Sequence, residues 1–243
     1  MTPAAQPAWI LGTGFLGSRL RRLLPQSVGI DRTAPAEVQG EAAAPAVLAR
    51  AAALLPPAFI FCCLSTRGGD AAAYRRTYLD VVQALPEGAK LIFCSSLSAG
   101  QGASEKAAIL QETEQVVLAR GGVVVRLAAL YGEGRCELLR RHRAGEPRLA
   151  GDEDRRLNYI HVDDAAAALL AAAGAPGGLY AACGESFTKA AAYALLERVT
   201  GIPAVAESSA EGRRGRADTD PAALPPVPQW QPRIRFADWC RHA

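Results

Sequence analysis

The chain has 243 residues, half of them hydrophobic and 21% charged, and its formal net charge is +3. This composition excludes a disordered or fibrous chain and predicts a globular protein with a sizeable core, while the balanced charge gives no support for a nucleic-acid or anionic-membrane partner. No apolar run approaches the roughly 18 residues of a membrane-spanning helix. The six cysteines show no C-x-x-C or other metal-ligand spacing, and reduced thiols in a cytoplasmic protein are expected.

Strand-like and helix-like segments alternate along the first half of the chain. Strands are predicted at 8–11, 27–30, 59–64, 90–94 and 123–127. Helices are predicted from the leucines at 16, 20, 23 and 24, and at 46–55, 71–85 and 105–120. Because the strands are apolar throughout and separated by helices, they predict an α/β fold with a parallel sheet covered by helices.

The pattern is looser beyond residue 131. A late strand at 179–182 and a helix at 188–200 are predicted. Asp163 and Asp164 precede a run of alanines and are expected to cap the N-terminus of a helix. The segment 208–242 is rich in Pro, Arg and Gly and is expected to be mostly irregular.

A glycine-rich turn joins the first predicted strand to the first predicted helix. It has the spacing G-x-G-x-x-G and the strand-turn-helix context of a dinucleotide-binding turn. The first glycine permits a tight turn, the second lets the backbone approach a pyrophosphate, and the third lets the helix pack closely on the strand. Cofactor contacts are therefore expected from Gly12, Thr13, Gly14, Phe15, Leu16 and Gly17.

An acidic residue strengthens this interpretation. Asp31 ends the second predicted strand, 19 positions after Gly12, where a carboxylate can accept hydrogen bonds from an adenosine ribose. The adjacent Arg32 could pair with the 2′-phosphate of NADP, which Asp31 would repel. Both NAD and NADP therefore stay open as cofactors, and NAD is favoured.

Six segments spread over most of the chain carry a resemblance to a known family. They are GTGFLGSRL, FIFCCLS, YRRTYLDVVQAL, LIFCSS, VVVRLAALYGEGR and LNYIHVDDAAAALLAA. With them the chain resembles the extended and atypical short-chain dehydrogenase/reductase superfamily, the NAD-dependent epimerase/dehydratase-like enzymes. The resemblance implies a Rossmann-like, doubly wound parallel sheet with a small C-terminal substrate lobe.

The resemblance also implies site residues. In this superfamily the end of the fourth strand lines the cofactor site, which here points to Leu64 and Ser65. The fifth strand carries a serine at its end, which implies a cofactor contact at Ser95 and a catalytic role for Ser96. A Tyr-x-x-x-Lys pair on the next helix would run the proton chemistry, since positions i and i+4 share a helix face.

That pair is absent from this chain. No tyrosine occurs between Ser96 and Arg120. In the superfamily a glutamate follows the lysine by about four residues, and taking Glu114 as that glutamate places Leu110 at the lysine position and Lys106 at the tyrosine position.

Two residues could replace the missing pair. Lys106 could be desolvated beside the nicotinamide and act as a general acid, or it could be a solvated residue in the first helical turn. Tyr131 could reach the site from the loop after the sixth strand, or it could pack that turn. Both are retained with Ser96 as candidate catalytic residues.

These observations predict an NAD(P)-binding protein that transfers hydride as an oxidoreductase or epimerase, acting on a small polar or nucleotide-sugar-like substrate. The alternative is a non-catalytic NAD(P)-binding regulator or partner-binding module. The cofactor domain is expected at 1–131, with its sheet completed from within 157–200, and the substrate lobe at 132–156 and 201–243. A homodimer through helices 71–85 and 105–120 is a further expectation from the resemblance.

Overall fold

The computed structural model describes residues 3–33, 35–66, 68–101, 104–149, 153–206 and 220–243. Within these ranges the main element is a seven-stranded sheet in which every pair of neighbouring strands is parallel. Its strands are β1 (Ala8–Leu11), β2 (Ser27–Asp31), β3 (Val38–Gln39), β4 (Phe59–Cys62), β5 (Lys90–Ser96), β6 (Val123–Leu127) and β9 (Gly178–Ala182).

The strand order is β3-β2-β1-β4-β5-β6-β9. From β1 the chain adds β2 and β3 on one side, and from β4 onward it adds strands on the other side. This is the order of a doubly wound Rossmann-like sheet, so the predicted fold class is confirmed. The five strands predicted from 8 to 127 are present, and the late strand joins the sheet beside β6. The two-residue β3 was not predicted because it is too short to show a pattern.

Helices cover both faces of the sheet. They are α1 (Phe15–Leu23), α2 (Pro45–Leu54), α3 (Ala71–Tyr74), a π-helical turn (Arg75–Leu79), α4 (Asp80–Ala84), α5 (Glu105–Ala119) and α7 (Val162–Gly174). One face of the sheet packs against α1 and α7, and the other packs against α2, α4 and α5.

The alternation of side chains along a strand divides the core between the two faces. In β1, Ala8 and Ile10 pack on the α1/α7 side, whereas Trp9 and Leu11 pack on the α2/α5 side. All four residues of β1 are buried. Complete burial explains why the strands read as continuous apolar runs rather than as an alternating pattern.

A second, three-stranded sheet lies beside the first. Its order is β10-β8-β7, with β7 parallel and β10 antiparallel to β8. It packs with the later helices around a separate core that contains Tyr131, Tyr193 and Phe236. The ranges are β7 (Ala129–Tyr131), β8 (Arg156–His161), β10 (Glu185–Thr188), α6 (Glu137–Arg143), α8 (Lys189–Thr200) and α9 (Phe236–His242).

The described part of the tail agrees with the expected irregular segment as far as residue 235, apart from a short 3-10 helix (Pro221–Ala223) and a bridge between Pro226 and Ala181 on the edge strand β9, and it ends in α9, which was not predicted. One expectation for the second half of the chain was wrong. The N-cap of α7 is His161 rather than an aspartate. Asp164 instead accepts hydrogen bonds from the backbone N–H groups of Arg233 and Ile234, which fixes the C-terminal segment.

Among the described residues, no helix is long and apolar enough to cross a membrane. The same residues contain no group of three or more His, Cys, Asp or Glu side chains arranged to hold a metal ion.

Candidate functional site

The glycine turn between β1 and α1 has the geometry that its sequence predicts. Gly12 has a φ of +86°, and a Cβ there would lie 2.7 Å from the carbonyl oxygen of Cys63. A Cβ on Gly17 would lie 1.9 Å from the carbonyl oxygen of Gly12, so only glycine allows α1 to start this close to β1. A Cβ on Gly14 would meet no atom within 4 Å, because this glycine faces open space.

That open space belongs to a cavity of about 820 Å³ at the carboxyl ends of the parallel strands. Its volume lies in the upper part of the range usual for small-molecule and cofactor sites. Ten of the predicted site residues line it, namely Gly12, Gly14, Phe15, Leu16, Asp31, Arg32, Leu64, Ser65, Ser95 and Ser96. The structure therefore brings most of the residues predicted from separate strands to one place.

Thr13 and Gly17 do not line the cavity. The Thr13 side chain is buried and donates to the carbonyl oxygen of Pro35 over 3.0 Å, while its backbone N–H donates to Asp31. Gly17 packs α1 against the turn. Both residues stabilise the turn through contacts with the protein on the side away from the cavity.

Asp31 is held in a fixed orientation at the end of β2. Its two carboxylate oxygens accept backbone hydrogen bonds from Thr13 over 2.8 Å and Thr33 over 2.9 Å. A carboxylate can accept further bonds beyond these two, so a ligand hydroxyl can still be accommodated. The neighbouring Arg32 forms an exposed ion pair with Glu41 over 3.3 Å, and Glu41 also lines the cavity.

Ser95 is tied to a buried ion pair beneath the cavity. Its hydroxyl contacts the carboxylate of Glu114, which also accepts from Arg126 Nε over 2.9 Å and Arg126 Nη2 over 2.6 Å. Glu114 is 1% exposed. This network joins β5, β6 and α5 and fixes the end of β5 from which the next residue projects.

Ser96 lines the cavity together with Ser98. Their hydroxyl oxygens are 2.8 Å apart, and the backbone N–H of Ser98 donates to Ser96 Oγ over 3.2 Å. Two adjacent hydroxyls at this position can donate to and accept from a polar substrate group.

The two proposed replacements for the missing tyrosine–lysine pair do not line the cavity. Tyr131 is 1% exposed and donates its hydroxyl hydrogen bond to the carbonyl oxygen of Ile234 over 3.1 Å. It sits inside the aromatic core of the second sheet, with the rings of Phe236 and Trp239 about 5 Å away. Packing in this core, rather than catalysis, accounts for Tyr131.

Lys106 also lies outside the cavity wall. Its ammonium group sits over the ring of Tyr74, 5.3 Å from the ring centroid. Leu110, at the position corresponding to the family lysine, lines the cavity and presents an apolar side chain there. The absence of the usual pair is therefore a property of the folded site as well as of the sequence.

The helical segment after β4 contributes residues that the sequence analysis missed. Tyr74, Arg76, Thr77 and Tyr78 all line the cavity. They lie in or next to the π-helical turn, which inserts an extra residue and changes which side chains face inward. An ordinary helical periodicity assigns the two tyrosines to packing, so no sequence signal marks this change.

Arg135 is a second missed residue. It closes the Gly132–Arg135 turn, lines the cavity, and its guanidinium carbon lies 5.1 Å from the centroid of the Phe15 ring. Because Phe15 is the first residue of α1, this positive charge lies beside the N-terminus of that helix, which itself favours anions.

Comparisons with known proteins add the following. No family model matches the chain, and no curated protein matches it. Among solved structures, UDP-glucose 4-epimerase of Thermus thermophilus, in complex with NAD, is 19% identical with a TM-score of 0.73, over 97% of this chain and 96% of that chain. The chain has the fold of this epimerase.

Two other epimerases show the same likeness. UDP-glucose 4-epimerase of Thermotoga maritima, solved with UDP-glucose, is 17% identical with a TM-score of 0.70, over 97% of this chain and 96% of that chain. UDP-N-acetylglucosamine 4-epimerase of Methanobrevibacter ruminantium, in complex with UDP-N-acetylmuramic acid, is 16% identical with a TM-score of 0.71, over 99% and 97%. The fold of these structures agrees with the resemblance found in the sequence.

Proposed function

We propose that this chain is an NAD-dependent enzyme that transfers hydride to and from a small polar or nucleotide-sugar-like substrate. The observation that carries the proposal is the continuous cavity that runs over the open face of Gly14 and is lined by both Asp31 and Ser96. It joins a turn suited to a pyrophosphate, a carboxylate suited to a ribose and a hydroxyl suited to a reacting carbon.

The charges in the cavity fit a dinucleotide. Arg32, Arg76 and Arg135 line it, against the two carboxylates of Asp31 and Glu41. Gly14 leaves room for phosphates at the N-terminus of α1, and the carboxylates disfavour a 2′-phosphate, which supports NAD over NADP. When bound, the cofactor supplies a carbon that accepts or donates hydride.

Tyr74 and Ser96 are the residues that we assign to the substrate. Ser96, with Ser98 at 2.8 Å, would hold the substrate oxygen by hydrogen bonds. Tyr74 lines the cavity, and the ammonium group of Lys106 lies over its ring. A tyrosine and a lysine are therefore neighbours here, as in the Tyr-x-x-x-Lys pair of the superfamily. They come from α3 and α5, however, rather than from one helix. In this proposal Tyr74 takes or gives the proton at the substrate oxygen, and Lys106 orients its ring by a cation–π contact.

The substrate class is proposed from charge and from the solved structures. Arg135 adds a positive charge beside the N-terminus of α1, where it is suited to bind a phosphate of the substrate. Two of the similar structures hold UDP-sugars. We assign the cofactor to residues 1–131 and the rest of the substrate to 132–156 and 201–243; residues 150–152 and 207–219 of this substrate region lie outside the described residues.

Cofactor binding is tested by titrating the protein with NAD, NADH, NADP and NADPH in a calorimeter, with a Gly14→Ala variant beside it. Gly14 has a φ of −72° and open space around its Cβ position, so the variant should fold normally. The added methyl group would occupy space needed by the pyrophosphate, and NAD affinity should fall by at least about tenfold, or 1.4 kcal/mol.

Gly174→Ala is the matched control, because Gly174 ends α7 and does not line the cavity. Its NAD affinity should equal that of the unmodified protein. Failure of all four nucleotides to bind at millimolar concentration would overturn the proposal.

Turnover is tested by incubating the NAD-loaded protein with UDP-glucose or UDP-N-acetylglucosamine and following the sugar by NMR. Tyr74→Phe and Ser96→Ala should each lower the rate by about a hundredfold or more while NAD affinity changes little. Binding of NAD with no conversion of either sugar or of a panel of small carbonyl and hydroxyl compounds would favour the non-catalytic alternative.

We further propose a cytoplasmic homodimer. The outer face of α5 carries exposed small and polar residues, Ala108, Glu112, Gln115 and Ala119, beside the exposed ion pair between Arg75 and Glu112. Cys62 and Cys240 are buried thiols, which suits a reducing compartment. Light scattering that gives the monomer mass at micromolar concentration would contradict the dimer.

A further inference from the structure

Two cysteines face each other in the wall of the cavity. In the parallel pairing of β4 with β5, Cys62 is the partner of Phe93, so the next pair along the register is Cys63 and Cys94. Their Sγ atoms are 3.5 Å apart, and both residues line the cavity. Neither residue has a part in the function proposed above.

The backbone holds the two cysteines at a separation that a disulfide bond can span. Cys63 donates its N–H to Leu11 on β1 over 2.8 Å, and Cys94 is paired with Val125 on β6. Neighbouring strands lie about 4.8 Å apart, which is within the Cα separation that a disulfide spans. A disulfide bond of about 2.05 Å needs the sulfur atoms to close the remaining gap by side-chain rotation, without movement of the strands.

The neighbouring cysteine shows that this placement is specific to one face of the sheet. Cys62 precedes Cys63 but points to the opposite face, where it is 1% exposed in the α2/α5 core. Cys63 and Cys94 pack on the α1/α7 face, next to the glycine turn. A small molecule that enters the cavity can therefore reach the Cys63–Cys94 pair but not Cys62.

We propose that Cys63 and Cys94 form a reversible, redox-active dithiol that hydrogen peroxide oxidises to a disulfide inside the cavity. The sulfur of Cys63 loses its proton and attacks a peroxide oxygen, the O–O bond breaks, and Cys63 becomes a sulfenic acid as the leaving hydroxide takes up that proton to form water. The sulfur of Cys94 then attacks Cys63, the S–S bond forms, the S–O bond breaks, and the Cys94 proton leaves with the hydroxyl as water. Each sulfur loses one electron and the peroxide is reduced to two waters.

The order of the two thiols follows from their surroundings. Burial raises the pKa of the Cys94 thiol, and its contact with Cys63 raises it further, so Cys94 keeps its proton at neutral pH. It therefore acts as the resolving thiol and Cys63 as the thiol that meets the oxidant.

The test treats the full reduced chain, without any nucleotide, with hydrogen peroxide. Remaining thiols are alkylated, and tryptic peptides are analysed by mass spectrometry. The expected product links the peptide of residues 51–67 to that of residues 91–106, free thiols fall by two, and dithiothreitol restores both. Because Cys62 and Cys63 share the first peptide, a Cys62→Ala variant should keep the link, whereas Cys63→Ser and Cys94→Ser should each abolish it.

Two outcomes would overturn the proposal. One is Cys63 recovered as sulfinic acid with Cys94 still alkylated, and the other is a link that survives in Cys63→Ser. A parallel arm with saturating NAD rests on the proposed function, and there the oxidation rate should fall at least tenfold because the cofactor covers the cavity wall. Should NAD fail to bind, that arm alone is lost, since the link is measured without nucleotide.

Discussion

At the scale of single residues, two glycines of the turn are needed for its backbone conformation and a third faces the cavity. Gly12 and Gly17 are required because a Cβ atom there would collide with the protein itself, whereas Gly14 faces the open space where we propose that the pyrophosphate binds. The same motif thus contains positions whose substitution should affect folding and a position whose substitution should affect affinity. The motif predicts a different role for each glycine, and the space around each one in the structure agrees with those roles.

Asp31 should set the preference between the two nicotinamide cofactors. Replacing it by Asn removes the negative charge that repels a 2′-phosphate but keeps one oxygen for a backbone N–H, so the turn should persist. The ratio of NADP to NAD affinity should rise about tenfold, equivalent to 1.4 kcal/mol. Calorimetric titration with both cofactors measures this ratio, and an unchanged ratio would show that Asp31 does not contact the ribose.

The sequence indicated some of the residues that line the cavity and did not indicate others. Ser96 lines the cavity as expected from the family resemblance, because the end of a parallel strand is a definite place in the sequence, and its catalytic role stays a prediction. For Tyr131 the sequence left catalysis and packing open, because an aromatic core built from β7, β8 and α9 cannot be recognised before those elements are known. Tyr74 and Tyr78 were missed because they lie next to and within a π-helical turn, which an ordinary helical periodicity does not reveal.

At the scale of elements, the carboxylate of Glu114 connects α5 to both strands beneath the cavity. It accepts two hydrogen bonds from Arg126 on β6 and contacts Ser95 on β5. A buried charge that loses its partner is costly, since its desolvation is no longer offset.

Glu114→Gln should therefore lower the free energy of unfolding by about 3 kcal/mol, because it leaves the guanidinium of Arg126 without a charged partner. Urea denaturation measures the change. Glu112→Gln on the same helix is the control: its ion pair with Arg75 is half exposed, and its loss should cost less than about 1 kcal/mol. Equal losses in the two variants would contradict a structural role for the buried pair.

Strands of the seven-stranded sheet other than β3 were predictable, including the late strand β9, whereas the strands of the second sheet were not. The strands from β1 to β6 other than β3, and the helices between them, follow from apolar runs and helical periodicity. In contrast, β8 has an exposed first residue and two half-buried positions, and β10 is half-buried throughout. Such strands are defined by the second sheet that they form, which local pattern does not reveal.

At the scale of the whole molecule, two buried histidines should make stability depend on pH. His161 joins β8 to α7, where its Nδ1 accepts the N-cap hydrogen bond from the Asp163 N–H over 3.2 Å. His142 joins α6 to α8 through a 2.9 Å contact between its Nε2 and Thr200 Oγ1. Burial lowers the pKa of both imidazoles below the usual 6.5, although Asp163, Asp164 and Glu197 act in the opposite direction.

Because the folded pKa of each histidine is below the unfolded value, the unfolded chain binds more protons as the pH falls through 6.5. The stabilisation is therefore complete above this pH and is lost on acidification. A protonated His161 also cannot accept at Nδ1, and loss of an N-cap costs about 1 kcal/mol. Urea midpoints should decrease from pH 7.5 to 5.5, a window above the ordinary titration of carboxylates.

The double variant His142→Gln, His161→Asn is the control for this pH dependence. Asparagine is a good N-cap and glutamine can bond the Thr200 hydroxyl, but neither titrates. Its urea midpoint should change much less between the two pH values than that of the unmodified chain. A midpoint that rises on acidification, or that falls equally in both proteins, would mean that the neutral forms of these two histidines do not stabilise the fold.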